Sequence, residues 1–188
     1  MSENNLGKAA HSLQIRRLNP NHAAAYRAIM LQAYESEPEA FTATVAERES
    51  LPLTWWENRI SEQPDASALV FGAFSDAQLA GVAGLRYERR PRTLHKAKLF
   101  GMFVLPAFRG YGIARRLVQA VLSQARSTPG MQVVQLTVTA SNAAAVQLYS
   151  ACGFVPFGTE PFANKVDERF VSVLHMWCPV GEMAAAAL

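Results

Sequence analysis

The chain reads as an α/β domain, a mixed sheet with helices on both faces. Three observations predict this. Half of the 188 residues are apolar, 18% are charged and the net charge is +3, so one domain of this length can bury a full core without a disulfide or metal staple. β-rich runs alternate with segments of helical period in the order β-α-α-β-β-β-α-β-α-β-β. One segment, Gly110 to Arg126, is strongly amphipathic, with Ala114, Leu117, Val118, Val121, Leu122 and Ala125 on one face.

The elements follow in order. Residues 1–11 read as a flexible leader, 12–178 as the domain and 179–188 as a short tail. Ser12 to Leu18 alternates and predicts a strand. Asn19-Pro20-Asn21 opens a helix reaching about Glu35, with Pro in its first turn. After a loop holding Pro38, Leu53 to Gln63 predicts a helix carrying Trp55, Trp56 and Ile60. Ala68 to Phe74 and Gln78 to Glu88 are strands joined by a turn at Ser75-Asp76-Ala77. A basic loop with Pro91 leads to a strand over Ala97 to Leu105, and the Gly110–Arg126 helix follows. Val133 to Val138 is a strand, Asn142 to Ala151 a short helix, and Phe154 to Gly158 and Phe170 to Met176 are the last strands.

Composition excludes several classes. The apolar fraction is too high and the net charge too low for a disordered chain. No stretch of about 18 residues is free of polar groups, so no membrane span is expected. The first residues hold no apolar signal core, and Cys152 and Cys178 therefore read as reduced thiols in a cytoplasm. Charge is unevenly spread. From Arg89 to Thr159 there are nine basic residues and no Asp or Glu; from Glu35 to Glu88 there are ten acids, opposed only by Arg48, Arg59 and Arg86. Such a field draws an anion to one segment and tolerates a cation near the other, although clustering on solvated faces would give the same counts. A nucleic-acid partner is not expected, because the basic segment is rich in Ala, Val and Leu at core spacing and has no long basic run.

The chemistry concentrates where a strand passes into the amphipathic helix, at Arg109-Gly110-Tyr111-Gly112-Ile113-Ala114. Two glycines at a helix entrance let a ligand approach the backbone, and the unpaired N–H groups there favour an anion such as a phosphate or pyrophosphate. Arg109, Arg115 and Arg116 would reinforce it. The P-loop pattern is absent. A dinucleotide fingerprint is disfavoured by Arg115 in place of a small residue and by the lack of any acid before Glu160. A ligand-free glycine turn stays open.

These residues resemble the GCN5-related N-acetyltransferase (GNAT) superfamily. Arg-Gly-Tyr-Gly-Ile-Ala over 109–114 is similar to its loop signature, and the run from Leu136 to Phe154 is similar to its second motif. The resemblance implies a mostly antiparallel sheet of about seven strands, splayed at the central strand, with about four helices. It implies acetyl-CoA as co-substrate, no metal, and transfer of the acetyl group to a primary amine. The N–H groups of Gly110, Tyr111, Gly112, Ile113, Ala114 and Arg115, with Arg109, would hold the pyrophosphate. Gly101, Met102, Phe103 and Val104 would splay at a bulge, with Met102 and Val104 offering backbone groups to the pantetheine arm and the thioester carbonyl. Asn142 would cap the next helix and touch the cofactor; capping alone would also explain it. Tyr149 would protonate the departing thiolate, against the alternative of a buried ring packed on Leu148 and Phe154. Cys152 reads as packing and not as a nucleophile.

The base is the open point. Lys96 to Phe100 holds no carboxylate, which leaves Glu88, His95 or ordered water. His175 reads as a satisfied core histidine. The family builds its acceptor pocket from the first two helices, their loop and the last strand pair, which places Glu39, Phe41, Trp56, Glu160 and Lys165 there, with Glu35, Glu37, Trp55, Phe162 and Asp167 nearby. Acids beside aromatics suit a cationic amine, while Lys165 would suit a carboxylate. The expected acceptor is a small-molecule amine or an amino-acid-like compound. A protein or peptide amine, a non-catalytic acyl-CoA-binding module and a homodimer remain alternatives.

Overall fold

The computed structural model describes residues 13–182. Seven strands lie in one sheet: β1 (Leu13–Arg17), β2 (Ala68–Ser75), β3 (Gln78–Tyr87), β4 (Lys96–Val104), β5 (Val133–Thr139), β6 (Val155–Val166) and β7 (Arg169–Pro179). Their spatial order is β1-β2-β3-β4-β5-β7-β6, and β4 and β5 form the one parallel pair among the described residues. The helices are α1 (Ala23–Ser36), α2 (Val45–Glu49), α3 (Leu53–Arg59), α4 (Ile113–Ser127) and α5 (Ala143–Ala151).

Two cores sandwich the sheet. The apolar stripe of α4, from Ile113 to Ala125, packs with Tyr149 of α5 and Phe154 against Leu85, Leu99, Val134 and Met176. On the opposite face Tyr26, Ile29, Met30 and Ala33 of α1 close over Trp56, Val70, Val82 and Phe103. Sheet alternation sends Phe103 into one core and Val104 into the other.

The expected splay is present, and its cause is local. β5 pairs with β4 only at Val133–Gln135 against Lys96–Lys98. Beyond that point the β4–β3 register shifts: Gly84 faces Phe100 while Val82 faces Phe103, so Gly101 and Met102 together oppose Ala83. Gly101 sits at φ +60°, a backbone that L side chains rarely adopt. The bulge bends β4 away from β5 and leaves a seam open at the strands' C-terminal ends.

Several expectations need correction. Among the described residues there are five α-helices, one more than expected; α2 follows Thr44, whose hydroxyl accepts from Glu47 N–H while the Glu47 carboxylate accepts from Thr44 N–H. Thr44-Val45-Ala46-Glu47 carried that signal in the sequence. α3 ends at Arg59, four residues before Gln63. α4 begins at Ile113 and not at Gly110, because Gly110 (φ +86°) and Gly112 (φ +73°) hold the chain in a left-handed turn. β6 runs on to Val166 through two register shifts that its short apolar run did not announce. The leader at 1–11 lies outside the described residues, as does the tail from 183. Pro179 belongs to β7, and the Val180 and Gly181 N–H groups bond Gln132 O at 2.8 and 3.3 Å, so the domain extends past 178. Among the described residues no helix is long and apolar enough to cross a membrane, and no group of three or more His, Cys, Asp or Glu could hold a metal.

Candidate acetyl-transfer site

The loop before α4 presents a row of main-chain donors to open space. The first N–H to bond back into the helix is that of Arg116, to Gly112 O at 3.1 Å. The six N–H groups from Gly110 to Arg115 have no acceptor among the described residues. A Cβ placed on Gly110 or Gly112 would meet nothing within 4 Å. Unpaired donors at the positive end of a 15-residue helix form an anion cradle whose strength does not depend on side-chain identity. Arg115 is exposed beside it. Arg116 instead donates to Leu13 O at 3.1 Å.

Arg109 is placed differently from expectation. Its Nε donates to Val104 O at 3.0 Å and its Nη2 to the Glu37 carboxylate at 2.9 Å. The guanidinium therefore ties the loop to the far side of the seam and does not stand free for a diphosphate.

The β4 edge supplies the next group of donors and acceptors. Leu105 N–H bonds Ala80 O, so strand alternation turns Phe103 toward β3 and the backbone of Met102 and Val104 toward the seam. The Val104 carbonyl already accepts from Arg109, which leaves Val104 N–H and the Met102 groups. Across the seam Asn142 caps α5, its Oδ1 accepting from Ala145 N–H at 3.0 Å. Its amide N–H groups have no partner among the described residues. Tyr149, about two α5 turns further along, is buried, edge-on to Phe154 with ring centroids 5.8 Å apart. Burial first, and then the nearby Cys152 thiol, hold its phenol well above the ordinary tyrosine range, so it stays protonated. Cys152 is half-buried, and burial raises its thiol, in keeping with a packing role.

A short 3-10 turn, Pro38–Ala40, bridges the open end of the seam. Glu37 holds Arg109 on the β4 side. On the β5–β7 side Thr139 Oγ1 donates to Glu39 O at 2.6 Å and Arg169 Nη2 to the Glu39 carboxylate at 2.9 Å.

The family model of the acetyltransferase (GNAT) family matches residues 30–154, from α1 through the seam and the loop to the end of α5. This chain belongs to the GNAT acetyltransferase family. It is similar to an L-amino acid N-acetyltransferase of Escherichia coli K12, 29% identical over 104 residues, covering 55% of this chain and 62% of that enzyme. The matches to curated relatives reach 40–62% of those proteins' lengths. The fold is similar to a GNAT-family acetyltransferase from Streptococcus pneumoniae (TM-score 0.80, 24% identity, 90% of this chain and 100% of that one). It is also similar to the yncA protein of Salmonella typhimurium, solved with its cofactor acetyl-CoA (TM-score 0.77, 21% identity, 91% and 95%).

In this GNAT domain the other residues singled out by sequence are dispersed. Glu88 follows β3, 3.6 Å from Lys98 Nζ, and His95 precedes β4. Both stand at the closed end of the seam, several residues of extended chain from the bulge, roughly 20 Å at about 3.3 Å per residue. The structure does not bring either to the transfer point. Trp56, expected in the acceptor pocket, is fully buried among Tyr26 and Trp55, its indole N–H without a partner. Phe41 is half-buried, edge-on to Tyr34 at 5.2 Å, and does line the underside of the bridging turn. Lys165 pairs with Glu168 at the β6–β7 hairpin, beside Arg169, which reaches Glu39 of the bridging turn. Glu160 accepts from or is bridged by His175 Nε2 at 2.9 Å, and the His175 ring lies 5.8 Å from that of Phe157. His175 is thus satisfied as expected, but on a half-open sheet face and not in the core. Thr139 and Arg169 were not legible in the sequence, because their partner Glu39 lies 100 and 130 residues away.

Proposed function

We propose that this chain is an acetyl-CoA-dependent N-acetyltransferase that acetylates the primary amine of a small molecule by direct attack. The observation that carries the reading is the row of six unpaired main-chain donors beside a strand bulge that opens the sheet. The donor set suits a diphosphate joined to an extended arm, and the yncA protein with its acetyl-CoA supports the same reading. The E. coli relative, an L-amino acid N-acetyltransferase, supports an amino-acid-like acceptor.

Bound there, the thioester supplies the acetyl group. The Gly110–Arg115 amides hold the diphosphate, and Asn142 offers its amide N–H groups to the arm. Val104 N–H faces the carbonyl oxygen that gains charge as the amine attacks. The acceptor reaches the site as an ammonium, with a pKa of about 10, and passes one proton to water before its nitrogen bonds the carbonyl carbon. The C–S bond then breaks. Tyr149 gives its proton to the sulfur and recovers one from the nitrogen, so free thiol and amide leave together. The phenol's raised pKa keeps that proton available throughout the neutral range.

Screening the full chain against an amine library, with free CoA thiol as the readout, tests the reading. At least one small amine should release thiol stoichiometrically with acetylated product. Thiol release that is independent of every amine, with tight acetyl-CoA binding by calorimetry, would make the chain an acyl-CoA-binding module instead.

A further inference from the structure

Between Glu35 and Glu88, ten acids are opposed in sequence by three arginines. Those arginines do not pair with the acids. Arg48 of α2, Arg59 of α3 and Arg86 of β3 gather into one stack, interleaved with two aromatic rings. Arg48 lies 4.9 Å and Arg59 4.7 Å from the Trp55 ring centre; Arg59 lies 5.0 Å and Arg86 5.5 Å from that of Phe100. None of the three has an ion pair among the described residues.

We propose that this arginine stack is a carboxylate subsite, so that the natural acceptor is an amine that also carries a carboxylate. The inference rests on the transferase reading and narrows its substrate. Three like charges held by ring faces and by the Tyr26 and Tyr34 phenols repel one another, and cation–π contact offsets only part of that cost. A planar anion that accepts from two guanidiniums at once removes the repulsion. Arg48 Nε is already buried with no hydrogen-bond partner, an unsatisfied charged group that a native fold seldom keeps without use. The stack is also within reach of solvent, since Arg86 is exposed and Arg48 and Arg59 are half-buried.

Its location fits an acceptor. Phe100 directly precedes Gly101, where β4 bulges, and the Met30 methyl packs 3.8 Å from the Gly101 Cβ position. Tyr34, beside Arg48 and Arg59, lies edge-on to Phe41, which follows the bridging turn. Three of the acids that sequence assigned to a cationic amine are meanwhile hydrogen-bonded. Glu37 is held by Arg109, Glu39 by Arg169 and Glu160 by His175.

The test compares matched amines with and without the carboxylate: phenylalanine against 2-phenylethylamine, leucine against 3-methylbutylamine, β-alanine against ethylamine. The full chain should favour the acid member of at least one pair by roughly tenfold or more in kcat/KM, the scale of a hydrogen bond to a charged group. Arg59→Gln and Arg86→Gln should bring that ratio near one while leaving the KM for acetyl-CoA and the rates on the simple amines within about twofold. Arg59→Lys, which keeps the charge and loses the fork, should fall between. Equal rates on both members of every pair, or variants that slow both members alike, would overturn the proposal. If no amine turns over, Trp55 fluorescence decides, with Trp55→Phe as the control. A saturable response to these acids that is absent in Arg59→Gln supports the subsite independently of transfer, and no response overturns it.

Discussion

On the α4 side of the seam positive potential comes from the amides of six consecutive residues; on the α1–α3 side it comes from guanidiniums contributed by α2, α3 and β3. The first arrangement is fixed by local backbone: two glycines with positive φ and a helix starting at Ile113. The second exists only when segments some 40 residues apart fold together around Trp55 and Phe100. A cofactor loop built from main chain tolerates side-chain drift. An acceptor pocket built from side chains can change with a few substitutions, which suits a family whose members differ in acceptor.

The sharpest way to break this comparison is Gly112→Val. Its φ of +73° forces a β-branched residue into a left-handed backbone, and the new side chain projects into the space open to the ligand. Acetyl-CoA binding by calorimetry should weaken by about a hundredfold or more, and unchanged affinity would remove the amide cradle. Tyr149→Phe should lower kcat by about a hundredfold with little change in the KM for acetyl-CoA, as expected for a proton donor used only in the reaction; equal turnover would return Tyr149 to a packing role. The arginine variants come next, at roughly tenfold and confined to carboxylate-bearing amines.

Smaller effects test the supporting structure. Burial raises the phenols of Tyr149, Tyr26 and Tyr34 in the folded chain, so the folded state holds their protons more tightly than the unfolded state does. Their contribution is complete below the ordinary tyrosine value of 10.0 and declines as pH rises above it, so urea midpoints should fall steeply beyond pH 10 and fall less in Tyr149→Phe. Glu37→Gln should cost less than about 1 kcal/mol in urea titration, because both partners of its pair with Arg109 remain partly exposed. A larger loss would mean that the bridging turn governs the seam's stability.

The sequence made the frame and the glycine loop before α4 legible. Strand order, the α4 stripe and Gly110-Tyr111-Gly112 are local signals, since periodicity and positive-φ turns need only neighbouring residues. The α2 capping box is a local signal of the same kind, carried by Thr44 and Glu47. The long β6 was not readable, because its residues are almost all exposed and its register is set by β7. The acids and arginines misled for the same reason in reverse. Their abundance in one segment predicted a pocket for a cation, yet Glu37 and Glu39 found cationic partners 72 and 130 residues away while the nearby arginines turned to aromatic rings.

The amino-acid sequence by itself determined the layered sheet, the helix that carries the amide cradle and the family to which the chain belongs, because each depends on spacing along the chain. Tertiary structure alone decided which charges are neutralised and which arginines turn to aromatic rings. Ion pairing depends on distance in space, and the partners here are contributed by strands and helices far apart in sequence.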